Sequence, residues 1–80
     1  MLEELTTATF VVGAKQTRRA LTAGQVKKLF LARDADPALT APLADLADAA
    51  GVPVEKGLTM AQLGAACAIA VKAACCAILA

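Results

Sequence analysis

The chain contains no histidine, tryptophan or tyrosine, and only two of its 80 residues, both phenylalanine, are aromatic. The lack of histidine, together with three cysteines that do not have the spacing of metal ligands, argues against a zinc site. The sequence also lacks the Gly-x-x-x-x-Gly-Lys-Ser/Thr phosphate loop and any nucleophile paired with a plausible base. It therefore predicts a protein that is not an enzyme and that binds neither a metal nor a cofactor.

The composition predicts a single small domain spanning residues 1–80, with a dense core. Hydrophobic residues make up 59% of the chain, and 21 of the 80 residues are alanine. A core built from thin layers of alanine, valine, leucine and isoleucine lets helices pack close to a sheet. No internal repeat or second domain is visible in the sequence.

The apolar segment at residues 61–80 predicts buried structure rather than a transmembrane helix. Alanine and glycine dominate it, and Lys72 would lie near the middle of the bilayer. Cys67, Cys75 and Cys76 all lie in this segment, which indicates reduced, buried thiols. The first residues do not form a signal peptide, so we expect a cytoplasmic protein without a membrane partner.

Strands alternate with helices along the chain, which predicts an α/β domain with helices on the faces of a small sheet. The signals are helical spacing of apolar residues, glycines after two helices and Thr59 as an N-cap. The expected helices lie at 2–7, from Ala14 to about Thr22, from Leu39 or Thr40 to Ala50, and from Thr59 to Ala66. The expected strands lie at 9–12, 26–32, 52–54 and 73–79, with a turn at 34–37 and a loop at 68–72. In the third of these helices, the residues expected to face the core are Leu39, Leu43, Leu46, Ala47 and Ala50.

Charge is segregated along the chain although the formal net charge is only +1. Six basic residues and no acidic residue lie between positions 15 and 33, whereas five acidic residues and no basic one lie between 34 and 55. This pattern predicts two faces of opposite sign, although any single charge is equally consistent with an ordinary solvated surface. Asp34 and Asp36 stand before Pro37, where they are expected to bond nearby backbone rather than act as acid or base.

The start of the first long helix is the best candidate for a binding site. An apolar strand turns at Gly13 directly into a helix whose N-terminal N–H groups and cationic side chains suit a polyanion. Lys15 and Arg19 share one face and can neutralise phosphates, while Gln16 can bond base edges. Nucleic acid is the obvious partner, but from these residues alone an amphipathic helix with a routine charged exterior is equally consistent.

Three strings in the chain carry a resemblance to a known family: Gly13-Ala14-Lys15-Gln16-Thr17-Arg18-Arg19-Ala20-Leu21, Ala32-Arg33-Asp34-Ala35-Asp36-Pro37 and Leu63-Gly64-Ala65-Ala66-Cys67. In order and spacing they closely resemble the kink-turn RNA-binding family of ribosomal proteins, the L7Ae/L30e family, and most of all its short bacterial members of the YbxF type. The resemblance implies a three-layer α-β-α sandwich with a small mixed sheet of about four strands.

The resemblance also implies how the site works. Lys15 and Gln16 would face the tandem sheared G·A pairs of a kink-turn, Gly13 would allow close backbone approach, and Arg19 would bind phosphate. A later apolar loop would pack against the extruded nucleotides. The candidate RNA-binding residues are Gly13, Ala14, Lys15, Gln16, Arg18, Arg19, Lys27, Lys28, Arg33, Ala68, Ile69, Ala70, Val71 and Lys72. In this chain Met60 stands where some members carry a phosphate-binding lysine, Ala68 replaces the glycine usual in the family, and Lys72 stands where short bacterial members tend to have glycine.

The expected partner is structured RNA that contains a kink-turn, such as ribosomal RNA or the RNA of another ribonucleoprotein, bound by a monomer. The alternative is a protein-interaction module that uses the acidic residues Asp34, Asp36, Asp45 and Asp48 or an exposed sheet edge.

Overall fold

The computed structural model describes residues 9–67 and 72–79, which form one four-stranded mixed sheet with three helices. The strands are β1 (Phe10–Val12), β2 (Val26–Leu31), β3 (Val54–Glu55) and β4 (Cys75–Leu79), and the helices are α1 (Ala14–Thr22), α2 (Pro37–Ala49) and α3 (Met60–Ala66). The predicted α/β class is confirmed. The expected helix at 2–7 lies outside the described residues, as do residues 68–71 of the expected loop. None of the helices in the described part of the chain has the length and apolar character needed to cross a membrane.

The sheet has the strand order β1-β4-β2-β3. Strand β4 is antiparallel to both β1 and β2, whereas β3 is parallel to β2. One row of paired residues crosses all four strands, and it consists of Val12, Cys76, Phe30 and Glu55. Strands β1, β2 and β3 therefore end, and β4 begins, at the same end of the sheet. Because α1 starts there, we call it the α1 end.

Two hydrophobic clusters lie on opposite faces of the sheet and establish three layers. On one face, α1 and α2 pack through Leu21, Leu43 and Ala47 against the strand residues Leu29 and Cys75. On the other face, α3 packs through Leu63, with Cys67 just beyond its end, against Phe30, Cys76 and Ile78. The α-β-α sandwich implied by the resemblance is confirmed, and small residues such as alanine and cysteine let the layers approach closely.

Helix α1 begins and ends where the sequence predicts. Beyond its last residue, Gly24 has φ 71° and donates its N–H to the Leu21 carbonyl at 3.1 Å. The Gln25 N–H donates to the Ala20 carbonyl at 3.0 Å. A residue with left-handed φ is what allows these two bonds to close the helix, and glycine adopts it without strain.

Helix α2 starts at Pro37, two or three residues earlier than predicted, because Asp36 and Pro37 form a helix start rather than only a turn. The Asp36 carboxylate accepts the Ala38 N–H at 2.9 Å, and Pro37 occupies the first helical position, where its fixed φ suits a helix. The expected core stripe is wrong at both ends. Leu39 is 39% exposed and Ala50 is exposed, whereas Leu43 and Ala47 in the middle are buried.

The remaining elements are close to expectation but shorter. Strand β3 begins at Val54 rather than at residue 52, because Pro53 has no N–H to donate to the neighbouring strand. The Pro53 carbonyl still accepts the Leu29 N–H at 3.0 Å. Thr59 caps α3 as predicted, and its hydroxyl accepts the Gln62 N–H while the Gln62 side chain accepts the Thr59 N–H. Strand β4 starts at Cys75, two residues later than predicted.

Candidate nucleic-acid interface

The first turn of α1 presents three backbone donors at the α1 end. Gly13 is the N-cap, with φ 99° and ψ 152°, and has no side chain with which to cap the helix. Its N–H donates to the Cys75 carbonyl at 3.1 Å, and its carbonyl accepts the Thr17 N–H at 3.0 Å. Within the described residues, the N–H groups at positions 14–16 have no such partner, and no acidic side chain lies in the first turn. This geometry suits an anion or another acceptor brought close to the backbone.

The side chains of α1 divide between the core and the surface. Lys15 and Gln16 are exposed, whereas Thr17 is completely buried and Ala14 is half-buried against the sheet. Arg18 and Arg19 are exposed further along the same helix, and both line a shallow depression with Lys15. Gln16 is thus available to a partner and does not serve the core.

Two more predicted cations lie at the α1 end. Arg33 follows the end of β2 and is exposed, and its N–H donates to the Leu58 carbonyl at 2.8 Å. Lys72 is exposed and stands three residues before β4. The next residue, Ala73, donates its N–H to the Met60 carbonyl at 3.1 Å, which ties this stretch to the start of α3.

Lys27 and Lys28 lie away from this surface. They belong to the first half of β2, and Lys28 pairs with Ile78 at the far end of β4. At about 3.3 Å per residue, Lys28 is roughly 10 Å from Leu31 along the strand. The Lys28 ammonium also lies 3.8 Å from the Glu55 carboxylate and 5.1 Å from the centre of the Phe30 ring. The backbone of both lysines therefore lies in the half of β2 away from the start of α1, and the Lys28 ammonium lies beside Phe30 and Glu55, on the face of the sheet opposite α1.

Ala68, Ile69, Ala70 and Val71, the residues of the predicted apolar loop, lie outside the described residues. The residues on either side of it are described. Cys67 is buried against Phe30 and Cys76, and Lys72 leads towards β4, whose first carbonyl, that of Cys75, accepts the Gly13 N–H.

Sequence reasoning missed Lys56, which the sheet brings to the α1 end. Glu55 lies in the row of Val12, and Lys56 is the next residue, so it lies level with Gly13 across the sheet. Its side chain is exposed and lines a groove of about 400 Å³ together with Arg33 and Asp45. The sequence signal was a cation directly after a short strand, but its position depends on the parallel pairing of β3 with β2, which is not local.

The acidic residues do not form one face. The Asp36 carboxylate bonds nearby backbone as expected, but the Asp34 carboxylate accepts the N–H of Met60, 26 residues away, at 2.7 Å. Both carboxylates thus lie at helix N-termini, which stabilise negative charge. Asp45 and Asp48 are exposed on α2, which packs beside the cationic α1 on the same face of the sheet. The expected faces of opposite sign correspond in part to two adjacent helices, with Lys15, Arg18 and Arg19 exposed on α1 and Asp45 and Asp48 exposed on α2.

The three cysteines are free and buried, as predicted. Burial raises the pKa of each thiol, so all three are protonated at neutral pH. Across the described ranges, no group of three potential ligands from cysteine, aspartate or glutamate comes together to hold a metal ion.

Comparison with known proteins gives a consistent result along nearly the whole chain. The profile of the "Ribosomal protein L7Ae/L30e/S12e/Gadd45 family" matches residues 3–80. An RNA-binding protein of Bacillus pumilus (strain SAFR-032) is 46% identical over 69 residues, which are 86% of this chain and 84% of that protein. The RNA-binding protein YbxF of Geobacillus stearothermophilus is 45% identical with the same coverage. Among solved structures, the Giardia lamblia 15.5kD RNA binding protein shares the fold, with a TM-score of 0.87 at 23% identity over 98% of this chain and 66% of that one.

Proposed function

Because the chain belongs to the ribosomal protein L7Ae/L30e/S12e/Gadd45 family, we propose that it is a non-enzymatic RNA-binding protein that recognises kink-turns. RNA binding is named for bacterial relatives that are about 45% identical to this chain over 69 residues. The recognition of a kink-turn rests on the start of α1, where Lys15 and Gln16 are exposed and where the family resemblance implies contact with the G·A pairs.

The observation that carries the proposal is the arrangement around Gly13. A glycine at the N-cap places no side chain between the helix start and a partner, and a Cβ built there would meet no atom within 4 Å. The N–H groups at positions 14–16 have no acceptor in the described structure, while Lys15 and Gln16 are exposed beside them. Backbone donors, a cation and an amide thus converge on one small area.

A kink-turn offers what this area can recognise. Regular A-form RNA hides its base edges in a deep, narrow major groove, whereas a sharp bend with sheared pairs exposes them. The Gln16 amide carries both donors and an acceptor and can bond a guanine edge, while Lys15 and Arg19 neutralise phosphates on either side. The family resemblance implies that residues 68–71, which lie outside the described residues, pack against extruded nucleotides. By binding the bent form more tightly than the open one, the protein would favour the bend.

The proposed partner is structured RNA of the ribosome or of another ribonucleoprotein, bound by a monomer in the cytoplasm. The proteins named among the relatives are RNA-binding proteins, and the family description is that of ribosomal proteins.

Titration of the purified protein against two RNAs tests the proposal. One RNA carries a kink-turn with tandem G·A pairs, and the other has the same length and charge but Watson–Crick pairs in their place. We expect at least about tenfold tighter binding to the first, equivalent to about 1.4 kcal/mol. Equal affinity for both would show that recognition is electrostatic and not specific for the kink-turn.

The alternative, a protein-interaction module, draws less support. Two of the four carboxylates that it would use, Asp34 and Asp36, already accept helix N-terminal N–H groups. The edge strands β1 and β3 contain only three and two residues, so each offers a short template for strand addition. Affinity purification with and without ribonuclease separates the two functions, because partners bound through RNA are lost on digestion.

A further inference from the structure

Lys56 occupies the same level of the sheet as the start of α1. Gly13 bonds the Cys75 carbonyl, Cys75 pairs with Leu31, and Lys56 follows the residue that pairs with Phe30. These four residues form a row at the α1 end, one on or directly after each strand. With strands about 4.8 Å apart, Gly13 and Lys56 are roughly 14 Å apart across three strand intervals.

Lys56 also lies on the same face of the sheet as α1. Val54 packs in the cluster under α1 and α2, and side chains alternate along a strand, so Glu55 points to the other face and Lys56 returns to the first. The grooves that Lys56 lines confirm this orientation, because α2 residues Ala44 and Asp45 line them too.

The charge of Lys56 is available to a partner. No carboxylate in the described part of the chain lies within 4.0 Å of its ammonium, although Asp45 and Asp48 line the same groove. Lys28 differs, since its ammonium lies 3.8 Å from Glu55. Among the described residues, Arg33 and Lys56 are the two cations that line the groove between α2 on one side and the ends of β2 and β3 on the other.

We propose that Lys56 binds a phosphate of the same RNA whose bend is recognised at the start of α1. A polyanion with a charge every few ångströms, laid along the α1 end, presents phosphates to Arg33 and Lys56 when its bases face Gln16. Lys56 thereby takes the part that Lys27 and Lys28 would have played had they lain at this end. The inference rests on the proposed function, because it assumes that RNA binds at α1.

Lys56→Ala and Lys27→Ala form a matched pair for the test. Both remove one exposed cation from the sheet region, so both change the net charge equally, but they lie at opposite ends. Affinity for the kink-turn RNA is measured from 50 to 300 mM salt. We expect Lys56→Ala to weaken binding about threefold to tenfold near 0.15 M and to lower the slope of log K against log salt by about 1. Lys27→Ala should leave both quantities unchanged.

Asp45→Asn should change the affinity for RNA in the opposite direction, towards tighter binding. Asp45 lines the groove beside Lys56 and repels a phosphate there, so its neutralisation should tighten binding by about twofold to fivefold. In the Lys56→Ala background this gain should shrink.

The outcomes separate this inference from the proposed function. If the wild-type protein does not prefer the kink-turn over its control, the proposed function fails. If the preference is present but Lys56→Ala and Lys27→Ala behave alike, only the role of Lys56 is overturned. Thermal unfolding of each variant identifies any loss of affinity that comes from a loss of fold.

Discussion

The Asp34 carboxylate accepts the backbone N–H of Met60 at 2.7 Å and so caps the first residue of α3 from the turn that follows β2. The Met60 carbonyl in turn accepts the Ala73 N–H at 3.1 Å. Met60 is therefore hydrogen-bonded through both of its backbone groups. Its N–H bonds a side chain from the β2–α2 turn, and its carbonyl bonds the backbone that leads into β4. Asp34 is thereby linked through Met60 to Ala73, two residues before β4.

Replacing Asp34 by alanine leaves the Met60 N–H without its acceptor. We expect the free energy of unfolding to fall by about 1 kcal/mol, the usual cost of removing a helix cap. Asp34→Asn keeps an oxygen acceptor at the same place but loses the charge, so it should cost about half as much. Urea unfolding followed by circular dichroism measures both. An Asp34→Ala protein as stable as the wild type would show that the bond contributes nothing in solution.

Gln16 carries the most specific prediction about RNA. Because its side chain is exposed and Thr17 holds the helix to the core, Gln16→Ala should leave stability within about 0.5 kcal/mol of the wild type. If the amide bonds a base edge, the substitution should cost about 1–3 kcal/mol of affinity for the kink-turn RNA. Affinity for the control RNA without G·A pairs should not change. An equal loss for both RNAs would place Gln16 on the phosphate backbone instead.

Gly13 links backbone conformation to binding. At φ 99° a residue with a Cβ is strained, although that Cβ would contact no neighbouring atom, so the cost of Gly13→Ala lies in the backbone and not in a clash. We expect a loss of about 1–3 kcal/mol in stability and a further loss of RNA affinity, since relaxing the strain moves the start of α1. Differential scanning calorimetry and RNA titration measure the two effects.

Gly24→Ala is the control for this substitution. Gly24 also has left-handed φ, at 71°, but it lies beyond the other end of α1. Its replacement should destabilise the fold by about 1–2 kcal/mol and leave the affinity of the folded protein for RNA intact. If both variants lost affinity alike, general destabilisation rather than the helix start would be responsible.

Sequence reasoning succeeded where the signals are local. Gly24 lies just beyond the end of α1 and Thr59 is the N-cap of α3, both as predicted. The start of α2 was missed because Asp36-Pro37 is typical both of a turn and of a helix start. The structure has a helix start, in which the Thr40 N–H donates to the Asp36 carbonyl at 3.1 Å and the Ala38 N–H donates to the Asp36 carboxylate at 2.9 Å.

The candidate site was harder to predict, because its membership depends on strand pairing. Lys27 and Lys28 precede Lys56 by almost 30 residues. The charge of the three lysines does not show which of them lies at the α1 end. The parallel register of Leu29 with Val54 decides which cation reaches the α1 end. The bond between Asp34 and Met60 spans 26 residues and was equally invisible to local reasoning.

The three cysteines predict how stability changes with pH. Burial is the main cause that raises the pKa of each thiol above its ordinary value of 9.0. Hydrogen bonding partly offsets this rise in two of them, from the Cys76 side chain at Cys67 and from the Thr17 side chain and the Gly13 backbone at Cys75. At Cys76 the neighbouring thiols raise the pKa further. In the unfolded chain the thiols deprotonate near pH 9, while in the folded protein they deprotonate only at higher pH. Above that pH the folded state holds more protons than the unfolded one, so the free energy of unfolding should fall as the pH rises.

Thiol reactivity and a cysteine substitution test this prediction separately from the titration of lysines in the same pH range. At pH 8 the native protein should react with a thiol reagent far more slowly than the urea-unfolded chain, because only an exposed thiolate is attacked. Cys76→Ala removes a completely buried thiol and should make stability less dependent on pH between 9 and 11, although it lowers the stability itself by leaving a small cavity. Rapid labelling of all three cysteines in the native protein, or an unchanged pH dependence in the variant, would contradict the protonated, buried state of these thiols.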